Sequence, residues 1–205
     1  MKKYYLLNGL LLGILFLSLT FLNLTTVDVS EQVPLDIYIH ETYSGEPWSL
    51  DPAVCYETAG TQIIQQVYDK LYTYNGSDTT LIPNVATGYT ISGDGKNWTF
   101  TLRDDVTFAD GLPVNASCVK YSLDRAIIMA DPAGPSWMIA QSIKGAWDYT
   151  LTAWTYFVGG VNVSEAEDWL ALNAITANDS ARTVTIKLDD PYTPFIAALT
   201  YEIGS

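Results

Sequence analysis

The chain has 205 residues, 48% hydrophobic and 16% charged, enough for one full domain or parts of two and too apolar for wholesale disorder. Ten Lys and Arg stand against 23 Asp and Glu, a net charge of −13, which argues against nucleic-acid binding, whose affinity rests on basic side chains neutralising phosphates. The acidic balance identifies no cation partner, because such a surface ordinarily serves only to keep molecules apart in water.

At the amino terminus Lys2 and Lys3 precede "YYLLNGLLLGILFLSLTFLNLTT", and no charged residue lies in the 24 positions between Lys3 and Asp28. That run exceeds the roughly 20 residues a helix needs to cross hydrocarbon. Its exit, "SLTFLNLTTVDVS", has no small-residue cleavage site, and no cysteine follows closely enough to take a lipid. Residues 1–27 therefore read as an uncleaved membrane anchor in preference to a cleaved signal. In either case the two lysines stay inside and the remainder is exported. Residues 28–34 form a polar linker ending at Pro34.

"LDIYIHE" alternates, with Leu35, Ile37 and Ile39 on one face, and reads as a strand. "TYSGEPWSLDP" is turn-rich, with Trp48 packing beside the turn. Ile63, Ile64, Val67, Tyr68 and Leu71 then fall at helical spacing, which predicts an amphipathic helix over about 59–71. "YNGSDTTLIP" reads as a loop. Tyr89 and Ile91 lead into "GDGK", whose Asp94-Gly95 pair suits a hairpin because glycine tolerates positive φ. Trp98, Phe100 and Leu102 point one way, Thr99, Thr101 and Arg103 the other, and Val106 and Phe108 continue the alternation as far as "ADGLP".

Asn115 is placed to cap a helix whose core face is Val119, Ser122, Leu123, Ala126 and Ile127, ending before "DPAGPS". "WMIAQSIKGAWDYTLTAWTYFV" predicts short helices, its period muddied by aromatics. "SEAEDWLALNAI" offers another helix with Ser164 as cap, "RTVTIKL" is a strand, and "DDPYTPFIAAL" is a turn entering a helix at Pro194. Strands and helices mix without a regular βαβ beat and without internal repeats, so the class is α+β or irregular α/β.

Enzyme readings find little support. His40 is the one histidine, no serine sits in a nucleophile elbow, and no G-x-x-x-x-G-K-[ST] loop is present. The pairs Asp104-Asp105 and Asp189-Asp190 sit at turn edges, where solvated charge is ordinary. No catalytic residue, metal site or cofactor is expected. Cys55 and Cys118 lack metal-site spacing and read as two buried thiols with no disulfide between them. Six of nine asparagines begin N-x-[ST], where composition gives roughly one or two by chance. Glycosylation is accordingly expected among Asn23, Asn75, Asn97, Asn115, Asn162 and Asn178, with Asn115 in conflict with its capping role.

Taken in order, these segments resemble the periplasmic-type solute-binding proteins of peptide and nickel ABC importers, solute-binding family 5. "EPWSLDPA" is similar to the family's opening element and "QQVYDKLYTYNG" to its first helix and following loop. "LIPNVATGYTISGDGKNWTFTLRDDVTFADGLPVNASCVKYSLDRA" follows the signature region, and "SIKGAWDY" with "ARTVTIKLDDPYTPFIAAL" completes the series over roughly residues 35–200. Cys118 departs from the pattern, standing where the family usually has an acidic residue.

The resemblance implies a periplasmic-binding-protein-like fold of the class II type, mixed α and β. Residues 35–68 and 182–205 would be part of the first lobe and 69–181 the smaller domain packed on it. Family members are much longer than 205 residues, so the second large lobe is expected to be missing, from a fragment or a truncated relative. Ligands in the family lie between lobes. By similarity the loop Cys55-Tyr56-Glu57-Thr58 would face the cleft, with Glu57 available to a cationic group, and Trp137 would present an aromatic ring to the ligand.

The implied function is an extracytoplasmic solute-binding subunit, tethered to the membrane, that captures a peptide and delivers it to permease subunits. Nickel chelates are the rival cargo, and a glycosylated envelope adhesin or sensor reusing the scaffold is the rival class.

Overall fold

A computed structural model describes residues 45–156 and 163–201. The chain divides into Met1–His40 and Glu41–Ser205, and all described residues fall in the second unit. The proposed anchor, the linker, the strand at Leu35–Ile39, His40, Asn23 and Asn162 lie outside them. Among the described residues no helix is long and apolar enough to cross a membrane.

The elements in chain order are α1 (Thr58–Val67), β1 (Tyr72–Tyr74), β2 (Leu81–Pro83), β3 (Ala86–Ile91), β4 (Asn97–Leu102), α2 (Ala116–Met129), α3 (Trp137–Ala140), α4 (Ala146–Tyr156), α5 (Val163–Ala171), β5 (Ile175–Asn178), β6 (Thr183–Lys187) and α6 (Phe195–Ala198). β3, β4, β6 and β5 form an antiparallel sheet in that order, and β1 and β2 make a separate hairpin.

The alternation in the central strands decides which face is core. Pairings Ile91↔Trp98, Trp98↔Ile186 and Ile186↔Ile175 run across one face, alongside Tyr89↔Phe100 and Phe100↔Val184. The other face is threonine: Thr90↔Thr99, Thr99↔Thr185 and Thr185↔Thr176, with Thr99 and Thr185 hydroxyls 2.9 Å apart. Onto the apolar face pack Leu123, Ala126 and Ile127 of α2, Ile139 and Ile143, and Phe195 and Leu199, in one buried cluster.

At the hairpin Gly95 has φ +75°, and a Cβ there would sit 3.0 Å from Pro191, so glycine is needed for both conformation and space. Lys96 Nζ fastens the same turn to the Asp189 carbonyl and to Asp190 at 3.2 Å.

Several expectations need correction. The first helix ends at Val67, because Tyr68 turns extended, and Val67 (67% exposed) and Tyr68 (43%) carry the predicted stripe into solvent instead of core. Its buried positions are Ala59, Gly60 and Ile64. The segment read as a loop at 74–83 is a hairpin around an Asn75–Thr80 loop. Past β4 the alternation yields only an isolated bridge, Thr107↔Pro113, and leaves Phe108 exposed. β5 was not anticipated, and α5 begins one residue ahead of Ser164. Trp48 is 59% exposed, so it is not packing beside its turn. Cys118 is half-buried, and neither it nor Cys55 is in a disulfide.

Phe100 is fully buried among Tyr72, Tyr89 and Trp98. Phe100→Ala is expected to lower unfolding free energy by about 3–5 kcal/mol, while Thr101→Ala on the open face changes it by less than about 0.5 kcal/mol. Denaturant titration of the two variants measures the difference.

Candidate functional site

The site begins with one carboxylate. Asp51 Oδ1 accepts the Ala53 N–H at 3.0 Å, and its carbonyl accepts from Val54 and Cys55, so the chain closes a turn directly after "SLD". Both oxygens also accept from Arg125 of α2: Oδ1 from Nη1 at 2.7 Å and Oδ2 from Nη2 at 2.5 Å. The forked guanidinium matches the carboxylate in two parallel bonds, which fixes orientation as well as distance. About a third of each side chain is exposed.

The turn next enters α1. Glu57 is extended (φ −138°, ψ 157°) and takes the N-cap position. Its Oε2 accepts from Ala59 N and Oε1 from Gly60 N, each at 2.7 Å, satisfying N–H groups that a helix start leaves unpaired. Gly60 permits this closeness, since a Cβ there would fall 2.5 Å from Cys55 Sγ, Glu57 Oε1 and the Ser49 carbonyl.

A second turn leans on the first. Asp131 accepts from Ala133 N at 2.8 Å through its side chain and from Gly134 N at 2.9 Å through its carbonyl. A Cβ on Gly134 would lie 3.3 Å from the Ala53 carbonyl, so the "DPAG" turn lies against the "SLDPA" turn. Trp137 follows at the start of α3. Its ring meets Tyr56 edge-on, centroids 6.2 Å apart and planes at 88°. Tyr201, just after α6, meets Tyr56 at a centroid distance of 6.1 Å with planes at 63°.

Tyr56 and Trp137 are brought together, with Tyr56 46% exposed and Trp137 partly so. Thr58 is exposed on the first turn of α1. Cys55 has no exposed surface, and its thiol faces Glu57 Oε1 at 3.9 Å, so in this structure it supports the loop. Glu57 is a helix cap, a role its sequence position did not announce, though Oε2, which accepts from Ala59 N, keeps a further lone pair. Tyr201, Asp51 and Arg125 were missed. Local sequence offered only an arginine on α2, off its core face, and an aspartate in a Pro-containing turn, with nothing to pair the two.

A cleft of about 940 Å³ lies elsewhere, walled by Asp51 and Arg125 together with exposed Leu50, Tyr68, Phe108 and Tyr121. Neither Tyr56 nor Trp137 lines it. Among the described residues no group of three or more His, Cys, Asp or Glu could hold a metal ion.

Comparison with known proteins now assigns the class. Residues 80–204 match the family model for bacterial extracellular solute-binding proteins, family 5 Middle. The chain is 32% identical over 160 residues to the periplasmic murein peptide-binding protein MppA of Escherichia coli (strain K12), covering 74% of this chain and 25% of that protein. It is 52% identical over 62 residues to the nickel-binding periplasmic protein of the same organism, covering 30% of this chain and 12% of that one. The solved structure of the Escherichia coli murein tripeptide binding protein MppA superposes with a TM-score of 0.61 at 32% identity, over 77% of this chain and 28% of that one. The chain therefore belongs to the family 5 extracellular solute-binding proteins, and it spans about a quarter of the length of the curated relative.

Arg125 holds the Asp51 carboxyl below its ordinary value of 3.8, against an opposing push from partial burial. A carboxyl lowered on folding binds fewer protons folded than unfolded, so its stabilisation is present above pH 3.8 and is lost as pH falls through the folded value. Asp51→Asn is expected to flatten the acid limb of the stability curve below about pH 4 and to lower stability at pH 7. Denaturant midpoints across that range check it; an unchanged slope would contradict it.

Proposed function

We propose that this chain is the solute-capturing part of an ABC importer outside the cytoplasm, with a peptide as cargo and membrane permease subunits as the docking partner. The observation that carries the reading is the three-ring face of Tyr56, Trp137 and Tyr201 in a family 5 chain whose relative MppA binds murein peptide. Its open side offers aromatic surface to a ligand while Tyr and Trp keep polar edges for hydrogen bonds.

In this reading residues 35–68 and 182–205 contribute to the first lobe and 69–181 form the smaller domain. The ligand would lie extended between lobes, held largely by main-chain hydrogen bonds, with Tyr56 and Trp137 lining a side-chain pocket. Thr58 and the remaining lone pair of Glu57 Oε2 would supply polar contacts at its margin. No chemistry is required: binding selects the closed form of a hinged clamp, and the closed form docks. Residues 1–27 would tether the subunit to the membrane it serves.

A second cargo has a specific observation behind it, the 52% identity over 62 residues with a nickel-binding protein. The two are separated by calorimetric titration of the full chain with tri- to pentapeptides and with nickel chelates. The peptide reading predicts saturable peptide binding, weakened about tenfold or more by Trp137→Ala with the melting temperature retained, as expected for loss of about 1.4 kcal/mol of aromatic contact. Binding of nickel chelates alone would transfer the assignment to them, and a folded protein that binds neither would overturn both.

A further inference from the structure

The excess of N-x-[ST] sites is not absorbed by solute capture, and the structure separates the four that are described. Attachment of a glycan needs an asparagine side chain that a transferase can draw away from the fold, and it leaves a bulky group that only a surface can hold.

Three sites are tied into the fold. Asn97 opens β4, between two neighbouring strands, and its Nδ2 donates to Ser92 Oγ at 3.3 Å. The hydroxyl of its motif, on Thr99, is bonded across the sheet to Thr185. Asn115 caps α2, its side-chain oxygen accepting from Cys118 N at 2.9 Å. Ser117 of the same motif donates through both N and Oγ to Asp179, each at 2.8 Å. Asn178 ends β5 and accepts from Ala181 N at 3.0 Å, and the middle residue of its motif is that same Asp179.

Asn75 differs. It opens the loop between β1 and β2, where every residue from Tyr74 to Thr80 is exposed. Gly76 turns the chain outward at φ +58° with nothing near its Cβ position. The Asn75 Nδ2 reaches Asp78 Oδ2 at 3.4 Å, close to the outer limit of a hydrogen bond. Tyr74 and Ile82, in the strands that the loop joins, are also exposed.

We propose that Asn75 is an N-glycosylation site of this protein. The donor class is an oligosaccharide linked through phosphate to a lipid carrier, presented by a membrane glycosyltransferase. Nδ2 forms the new bond to the anomeric carbon as the carbon–oxygen bond to phosphate breaks. The lipid phosphate leaves with that electron pair, and the Nδ2 proton passes to a base of the transferase. Asparagine is otherwise unchanged, and no oxidant or reductant takes part.

The inference rests on the export contained in the proposed function, and the experiment keeps the two apart. Protein is recovered from its native host after surface labelling, and its peptides are sequenced by electron-transfer mass spectrometry. The expected result is a sugar-bearing Asn75 peptide on surface-labelled protein, with Asn97 and Asn115 bare, and loss of the added mass in Ser77→Ala. Surface-labelled protein with a bare Asn75 overturns this inference and leaves solute capture standing, as does an added mass that survives Ser77→Ala. Unlabelled protein with a bare Asn75 overturns the inference and export together.

Discussion

The forked bond between Arg125 and Asp51 is the constraint on which the candidate site depends. It joins the longest described helix to a turn 74 residues earlier, and that turn carries Tyr56. Each partner is only about one-third exposed, so water screens the pair less than a free surface ion pair. The pair's worth lies more in the fixed two-bond geometry than in charge attraction, which solvent partly screens. The same carboxylate closes the turn through Ala53, so a single group sets the shape of the loop and its place on the helix.

Around that bond the fold removes bulk wherever two turns must meet. Gly60 lets the Cys55–Glu57 strap lie on the first turn of α1, and Gly134 lets the Asp131 turn lie on Ala53. From the sheet side, Trp98 meets Phe195 edge-on at 5.5 Å, anchoring α6 and so positioning Tyr201 after it. Three chain segments thus present their rings in one place although they are distant in sequence.

How much of this was legible follows from range. Features fixed by neighbours were readable: the Trp98-Phe100-Leu102 face, the Asp94-Gly95 turn, the Asn115 cap and the helix entered at Pro194. The order of such segments also carried the family resemblance. Features fixed by distant partners were not. Nothing near Asp51 names Arg125, and Tyr201 is placed by Phe195 and Leu199 in the core. Helical spacing beyond Val67 misled because periodicity records where apolar residues fall, and the backbone at Tyr68 is extended regardless. β5 is four residues long and pairs with β6 alone, too short to show a period of its own.

The central claim is that the Arg125–Asp51 bond holds Tyr56 against Trp137, and its most direct test is the ring-to-ring nuclear Overhauser contact in Arg125→Met. The account predicts that Tyr56–Trp137 contacts vanish while those between Trp98 and Phe195 persist, the loop being freed and the sheet intact. Full retention of the Tyr56–Trp137 contacts in the variant would contradict it.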